Sequence, residues 1–402
     1  MFFRPGRSSN VVLIFDIGSG SIGGAFVELA EGVKPKIIYG VREPITARLK
    51  PDSKRLLDGK KSALRGVLGR LMSNGLPFVR AALDRHHFHP RNAICFLSSP
   101  WYVSKTSIIK EEYPDKPAIV SLPHLEEILR NEISNFGQSI LKDELHEPVD
   151  VIDSRLVDVK LNGYRTSDVR LKKASSFEFS IFLSAAPKRL ISSATSLIRE
   201  SAGARSVVFH SFVLPYFAVI RDLFGHLTDF IFLDVTAEVT DLSVVKDGVL
   251  LETISFPIGR NAVIRGIAKA FDVSLDIAGS FLRIKTTRAA DKNFDEKIRE
   301  VIAQTEKEWL EIFRSTLAAI NESVIVPRQI FLTLDADVAP FFKGWLTVET
   351  FERFGVSPEH FQVVSIGDDT FAHLCEWSPK AFHDPFLAIE SLFVSKISSL
   401  PY

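Results

Sequence analysis

The stretch FDIGSGSIGGAFVEL, Phe15 to Leu29, places Gly18, Gly20 and Gly23 directly behind an apolar run, Val11–Phe15. The spacing is that of a dinucleotide turn, G-x-G-x-x-G. Such a turn needs a helix after its third glycine, with the helix N-terminus facing a pyrophosphate. Here Gly24–Ala30 is followed by Glu31-Gly32 and then Pro35, which leaves too few residues for that helix. Asp16 also stands just before the glycines, where a carboxylate repels a diphosphate. A hairpin with an aspartate at its entrance suits a metal-bridged nucleotide instead. The aspartate reaches Mg²⁺ through water, and backbone N–H groups of the turn hold phosphate.

The pattern recurs once. Val11–Phe15, Ala25–Leu29 and Lys36–Val41 read as three strands. In the second half Phe230–Asp234 is again an apolar strand ending in aspartate, followed by Asp241–Val245, an Asp247-Gly248 turn and Leu250–Ser255. Strand, aspartate, loop, strand, turn, strand thus occurs twice, and a duplicated α/β architecture follows. The 402 residues are too many for one ordinary core. At 46% apolar and 24% charged the balance is that of a soluble globular chain. Lys+Arg and Asp+Glu are equal at 49 each, so no net field attracts nucleic acid. Cys95 and Cys375 lie in apolar settings and in no metal or redox spacing, which predicts buried free thiols. No apolar run approaches the ~18 residues of a membrane span. The longest, Phe212–Ile220, contains Pro215, and no signal-peptide pattern opens the chain.

Between the repeats the character changes. Leu64, Val67, Leu68, Leu71 and Met72 have helical spacing, and Gly75 and Pro77 are expected to end that helix. From about Ser104 to Ser184 the chain is more polar. It holds an amphipathic helix through Leu125, Ile128, Leu129, Ile133 and Phe136, then strands Val151–Leu161 and Ser176–Ser184, with Asn162-Gly163 as a turn. Pro187 opens a helix that stops near Gly203.

These residues resemble the actin-like superfamily that also includes sugar kinases, and within it the bacterial FtsA/PilM branch. The opening MFFRPGRSSNVVLIFDIGSGSIGGAFVEL, the stretch SIFLSAAPKRLISSATSLIRESAG (Ser180–Gly203) and DVTAEVTDLSVVKDGVLLETISFPIGRNAVIRGIAKAF (Asp234–Phe271) carry the resemblance. It implies duplicated actin-like, ribonuclease H-like domains with a small α/β subdomain inserted in the first. Residues 1–104 and 185–227 are then domain I, 105–184 the insertion and 228–402 domain II. It also implies ATP and Mg²⁺ as ligands. The matching positions are Asp16, Gly18, Ser19, Gly20, Ser21, Asp234, Thr236, Thr240 and Thr333, with Asp16 and Asp234 holding the metal through water and facing each other across a cleft.

The departures from that pattern predict that ATP binding is weak or lost. The second hairpin of the family reads D-I-G-G-G-T-T-D, whereas Asp234–Asp241 here has no glycine and carries Glu238. Aimed at a phosphate ~5 Å away, Glu238 would repel it by about 3 kcal/mol at an effective dielectric of ~20. The first hairpin has Gly23 and Gly24 and no lysine. The family's T-G-G-G adenosine loop is replaced by Thr333-Leu334-Asp335-Ala336-Asp337, and a ribose-binding glutamate by the Ala278-Gly279 region. At most a weak ATPase is expected.

The resemblance implies a cytoplasmic scaffold, peripheral at the inner face of the membrane. Its partner is then the PilN-like cytosolic tail of a membrane protein in type IV pilus assembly, bound between the insertion and domain I near Ser104 and Ala185–Pro187. The alternatives are an FtsA-like division protein that takes the FtsZ tail on domain II, around Phe271–Lys285, and a metabolite kinase of the superfamily. Self-association is a further expectation; a nucleic-acid partner is not. One of the insertion strands is expected to be a sheet edge open to an extended peptide. The leader, with Phe2 and Phe3 beside Arg4 and Arg7, is either a disordered tail or a marginal membrane contact. His86, His87 and His89 read as a solvated helix end, Asp335 and Asp337 as loop residues, and Phe386–Ile397 as a core helix.

Overall fold

The computed structural model describes residues 10–49, 53–119, 121–143, 147–166, 172–287, 292–322, 324–349, 360–371, 373–379 and 381–397. The leader residues Phe2, Phe3, Arg4 and Arg7 lie outside them. The architecture is α/β, built on two similar meanders. In the first, β1 (Asn10–Ile17), β2 (Ser21–Leu29) and β3 (Lys36–Pro44) run antiparallel, with Asp16 opposite Gly23 and Gly23 opposite Arg42. β4 (Asn92–Leu97) lies parallel to β1, and β11 (Ser206–Ser211) parallel to β4. In the second, β12 (Phe230–Val235), β13 (Thr240–Lys246) and β14 (Val249–Phe256) repeat the meander, with Asp234 opposite Asp241 and Asp241 opposite Ser255. β15 (Gln329–Leu334) and β16 (Gln362–Ser365) complete that five-stranded sheet in the order β14-β13-β12-β15-β16.

The strands that end in aspartate are apolar because both faces are covered; Val11–Phe15 and Phe230–Leu233 are all buried. Helices α1 (Ser53–Arg70), α2 (Leu76–Ala82), α4 (Lys188–Ala202) and α5 (Val213–Leu223) pack with the first sheet. α6 (Arg260–Phe271), α7 (Leu275–Thr287), α8 (Lys292–Asn321) and α9 (Ala339–Val348) pack with the second; the short α10 (Asp368–Phe371) lies near the chain end. The apolar run Phe212–Ile220 is α5, which lies between the sheets. Tyr216 meets Phe232 of β12 at 4.8 Å between ring centroids, and Phe224 at the end of α5 meets Phe331 of β15 at 4.5 Å. A helix covered from both sides is apolar all round.

Two expectations need correction here. The helix through Leu64–Met72 does not end at Gly75 and Pro77. One π turn, Leu71–Gly75, joins α1 to α2. A Cβ on Gly75 would stand 2.7 Å from the Tyr39 ring, so glycine serves packing there. Pro77 sits in the first turn of α2, where its missing N–H costs nothing. Residues 376–397, assigned from the sequence to domain II, return to the first sheet. β17 (Glu376–Trp377) adds to β3, giving the order β11-β4-β1-β2-β3-β17, and α11 (Pro385–Ile397) packs on β1 and α5 as a core helix.

The segment after β4 forms a separate sheet. It contains β5 (Val103–Glu112), α3 (Leu122–Asp143), β7 (Val149–Leu161), β8 (Tyr164–Arg165) and β10 (Ser176–Pro187) in the order β5-β10-β7-β8; β6 (Ala118–Ile119) pairs with β9 (Lys173–Ala174) apart from it. Ile128, Phe136 and Ile140 of α3 close over Phe177, Phe179 and Ile181 of β10. β10 is an interior strand, paired along its length on both sides. On the outer side of β7, β8 pairs with Lys160 and Leu161 and the Thr166 N–H donates to Val159 O (3.0 Å); among the described residues no strand pairs with the outer side of β5.

No break separates this sheet from the first. β10 runs through Ala185–Pro187 directly into α4. Asp153 of β7 accepts hydrogen bonds from the Ser184 hydroxyl (2.5 Å), the Ser211 N–H (2.8 Å) and the Ser211 hydroxyl (2.7 Å), and meets His210 Nδ1 at 2.6 Å. Burial works against a charged Asp153, but His210 and the hydroxyl and amide donors outweigh it and hold its pKa below the ordinary value. The insertion is fastened to β11 by this cluster.

Candidate functional site

The two aspartates end β1 and β12 at the mouth of the space between the meanders. Their environments differ. Asp16 Oδ2 accepts from Arg42 Nη2 at 2.7 Å. The same guanidinium donates from Nη1 to Ser21 Oγ (2.8 Å) and from Nε to Asp384 Oδ2 (2.6 Å). Asp384 in turn caps α11 through the N–H groups of Phe386 (3.0 Å) and Leu387 (3.2 Å). Arg42 reaches Asp16 by passing over Gly23, and a Cβ there would stand 2.8 Å from Nη2. Burial pushes the Asp16 carboxyl up and Arg42 pulls it back, leaving a pKa of about 6. Burial opposes the Arg42 charge, and Asp384 and Asp16 overcome it and raise its pKa.

Asp234 has no such partner. Both of its carboxylate oxygens are buried without a hydrogen bond, as is Oδ1 of Asp16. Burial, then Asp241, Asp16 and Asp335, hold its pKa well above the ordinary value. Asp241 itself accepts from Ser255 Oγ (2.6 Å) and, across the cleft, from the Tyr102 hydroxyl (3.3 Å).

The hairpin tips touch. Ser19 Oγ donates to Thr236 Oγ1 at 3.0 Å and accepts from the Glu238 N–H at 3.2 Å. A Cβ on Gly20 would lie 2.4 Å from the Ala237 Cβ. The turn amides are engaged within the protein. Gly18 N–H donates to Ser21 O (3.1 Å), Thr236 N–H to Val239 O (2.9 Å) and Val239 N–H to Thr236 Oγ1 (3.2 Å). The N-terminal amides of α6 are also taken, Arg260 by Thr236 O (3.0 Å) and Asn261 by Ala237 O (2.8 Å). Glu238 does not aim at a phosphate position. It accepts from Asn261 Nδ2 (2.7 Å) and pairs with Arg265 Nη1 (2.9 Å). Asp337 pairs with Arg260 (2.8 Å), and Asp335 stands 3.4 Å from the same guanidinium.

Of the residues singled out from sequence, Asp16, Gly18, Ser19, Gly20, Ser21, Asp234 and Thr236 come together. Thr240 and Thr333 do not line an open cleft. Thr240 Oγ1 donates to Ile258 O (2.6 Å) and accepts from Trp309 Nε1 (3.0 Å), and buried Thr333 lies 3.4 Å from Leu233 O. The sequence reading missed Arg42, Asp384, Arg260 and Arg265. The available signal was register: a glycine opposite Asp16 opens a path for an arginine one strand further on. Among the described residues no group of three or more His, Cys, Asp or Glu is placed to hold a metal. His86 lies 3.9 Å from Asp84 on the surface, and His89 3.0 Å from Arg80.

The orphaned oxygens of Asp16 and Asp234 are what an Mg²⁺ site would offer. The rest does not fit Mg²⁺–ATP. Arg42 already pairs with Asp16, the Gly18, Thr236, Glu238 and Val239 amides are bonded within the protein, and the tips meet at Gly20 and Ala237.

Neither a scan of protein-family models nor a search of curated proteins finds a match. Solved structures do match. The structure described as the PilM–PilN type IV pilus biogenesis complex aligns over 98% of this chain and 100% of its own, with a TM-score of 0.60 at 16% identity. The chain has an actin-like fold of the PilM type. The ethanolamine utilization protein EutJ from Carboxydothermus hydrogenoformans covers 98% of this chain and 92% of its own at 11% identity and a TM-score of 0.42. The MamK double helical filament subunit covers 98% and 100% at 10% identity and a TM-score of 0.42. Among the described residues no helix is long and apolar enough to cross a membrane.

Proposed function

We propose that the protein is a PilM-like scaffold, working in the cytoplasm at the inner face of a membrane and holding the PilN-like cytosolic tail of a membrane protein. The observation that carries this reading is the end-to-end likeness to PilM at a TM-score of 0.60. The sealed cleft supports a role exerted through surfaces rather than through nucleotide turnover. Strand addition along β7 is the docking mode of this reading, with exposed Leu156 of β7 (45%) and Tyr164 of β8 (80%) as its side-chain contacts. The hydrogen bonds of Asp153 to Ser184 and Ser211 hold β7 to the first sheet, so a bound tail meets a fixed surface.

The test is co-purification from detergent-solubilised membranes with a tagged Leu156→Glu, Tyr164→Glu variant. Both side chains are exposed, so the fold is expected to survive. Loss of the membrane partner from the variant alone supports the reading. Unchanged capture rejects the β7 edge as the dock. Loss on changing exposed Ile277 and Ile284 of α7 instead favours the FtsA-like alternative on domain II.

A further inference from the structure

A cavity of about 170 Å³ lies between α1 and α4, beside the end of β1. At ~30 Å³ per water it has room for about six water-sized groups. Ile17, Leu64 and Leu190 give it an apolar wall. The charged groups around it are Asp58, Lys60, Lys61 and Arg189. Three of the four are basic. Arg189 is only loosely held, 4.0 Å from Glu147.

Lys60 is the unusual member. Its side chain is 5% exposed, and Nζ is buried with no hydrogen-bond partner among the described residues. Nζ lies on the Trp101 ring, 2.9 Å from the centroid. Trp101 is fixed from its other end, where Nε1 donates to Gly18 O at 3.1 Å. Burial holds the Lys60 pKa well below the ordinary lysine value. A methionine would pack the same stem without this cost, so a purely structural reading leaves the amine unexplained.

We propose that this cavity binds a small aliphatic carboxylate, whose chain lies on the apolar wall and whose head takes Lys60 as its counter-ion. The four-carbon stem of Lys60 lets Nζ swing from the indole face toward the cavity without backbone movement. An anion delivered to a buried amine restores the charged form of that amine. Asp58 opposes the ligand, while Lys61 and Arg189 favour it.

The experiment is calorimetry of the full chain with butanoate, hexanoate and octanoate near pH 7.5, with hexanol as the uncharged control. Hexanoate and octanoate are expected to bind, at least tenfold more tightly than hexanol. Lys60→Met is expected to unfold at a higher temperature than the wild type and to lose that binding at least tenfold. Ser193→Phe, on the cavity wall, keeps Lys60 but fills the space and is expected to lose binding too. The proposal is overturned if no alkanoate binds the wild type or if hexanol binds as tightly as hexanoate. Retention of wild-type affinity in Lys60→Met or in Ser193→Phe overturns it as well.

Discussion

The two meanders end their first strands in the same way and treat the terminal aspartate in opposite ways. In the first, the cross-strand row is Asp16, Gly23, Arg42; in the second it is Asp234, Asp241, Ser255. The first row supplies a cation, and Asp16 is held as one member of an Asp16–Arg42–Asp384 chain. The second row supplies another carboxylate, and Asp234 is left with two unbonded oxygens. The hairpin motif therefore does not determine the chemistry of its aspartate. The residues one and two strands away in register do.

Removing Arg42 is the strongest way to break this comparison. Arg42→Ala leaves Asp16 and Asp384 buried without their shared cation, and loss of one partner of a buried ion pair costs about 3–5 kcal/mol. Denaturant unfolding is expected to show a loss of that size. Arg42→Lys should recover part of it, because an ammonium cannot reproduce the fork that bonds Asp16, Ser21 and Asp384 together. The loss should be smaller at pH 5 than at pH 8. Asp16 has a pKa of about 6 even with Arg42 in place, so in acid it takes a proton and no longer needs the cation. A loss below ~1 kcal/mol at pH 8 would mean that the network contributes no more than a surface pair.

Much of the frame was legible from sequence. Apolar runs ending in aspartate, repeated with the same strand spacing, give the duplicated meanders, and Gly203 and Asn162-Gly163 mark real turns with positive φ. What failed to show depends on register or on three-dimensional neighbours. Arg42 sits in a strand of mixed polarity and reads as a solvated charge until Gly23 is known to stand between it and Asp16. Glu238 reads as a phosphate repellent because Asn261 and Arg265 are more than twenty positions away in the chain. Ser176–Ser184 read as a possible edge because nothing local distinguishes a strand paired once from one paired twice. Asp153 lies in an unremarkable polar stretch, and its three partners come from two other strands.

Asp234→Asn sharpens the contrast from the other side. The folded-state pKa of Asp234 is raised, by burial first and then by Asp241, Asp16 and Asp335. The stability this carboxyl contributes is thus fully present below its unfolded value of roughly 4 and is lost as pH rises through the folded value. Asparagine does not titrate. The variant should match the wild type near pH 4 and exceed it at pH 8 by about 1–3 kcal/mol, the cost of an unsatisfied buried polar group. Asp16→Asn should gain less at pH 8, because Arg42 already offsets part of the burial that raises the Asp16 pKa. If both substitutions destabilise equally at pH 8, Asp234 has a partner in solution and the two rows are alike after all.

The smallest expected effect is that of nucleotide itself. Phosphate binding between the hairpins requires the Ser19–Thr236 hydrogen bond to break, Gly20 and Ala237 to separate, and amides of Thr236, Glu238 and Val239 to exchange their present acceptors for phosphate oxygens. Each hydrogen bond exchanged returns little, since a neutral intramolecular bond is worth about 0.5–1.5 kcal/mol net. The metal would further have to displace or outbid Arg42 at Asp16, and the adenosine loop would have to free Asp337 from Arg260. Calorimetry with Mg²⁺–ATP should therefore show affinity weaker than ~100 µM, and 1 mM nucleotide should stabilise the fold by less than about 1.4 kcal/mol. Arg42→Ala tests the cause, because removing the internal cation frees Asp16. If the sealed cleft is what excludes nucleotide, the variant gains a measurable Mg²⁺-dependent shift in unfolding temperature that the wild type lacks. Sub-micromolar binding by the wild type would show that the hairpins part readily and that the contacts between their tips carry little of the closure.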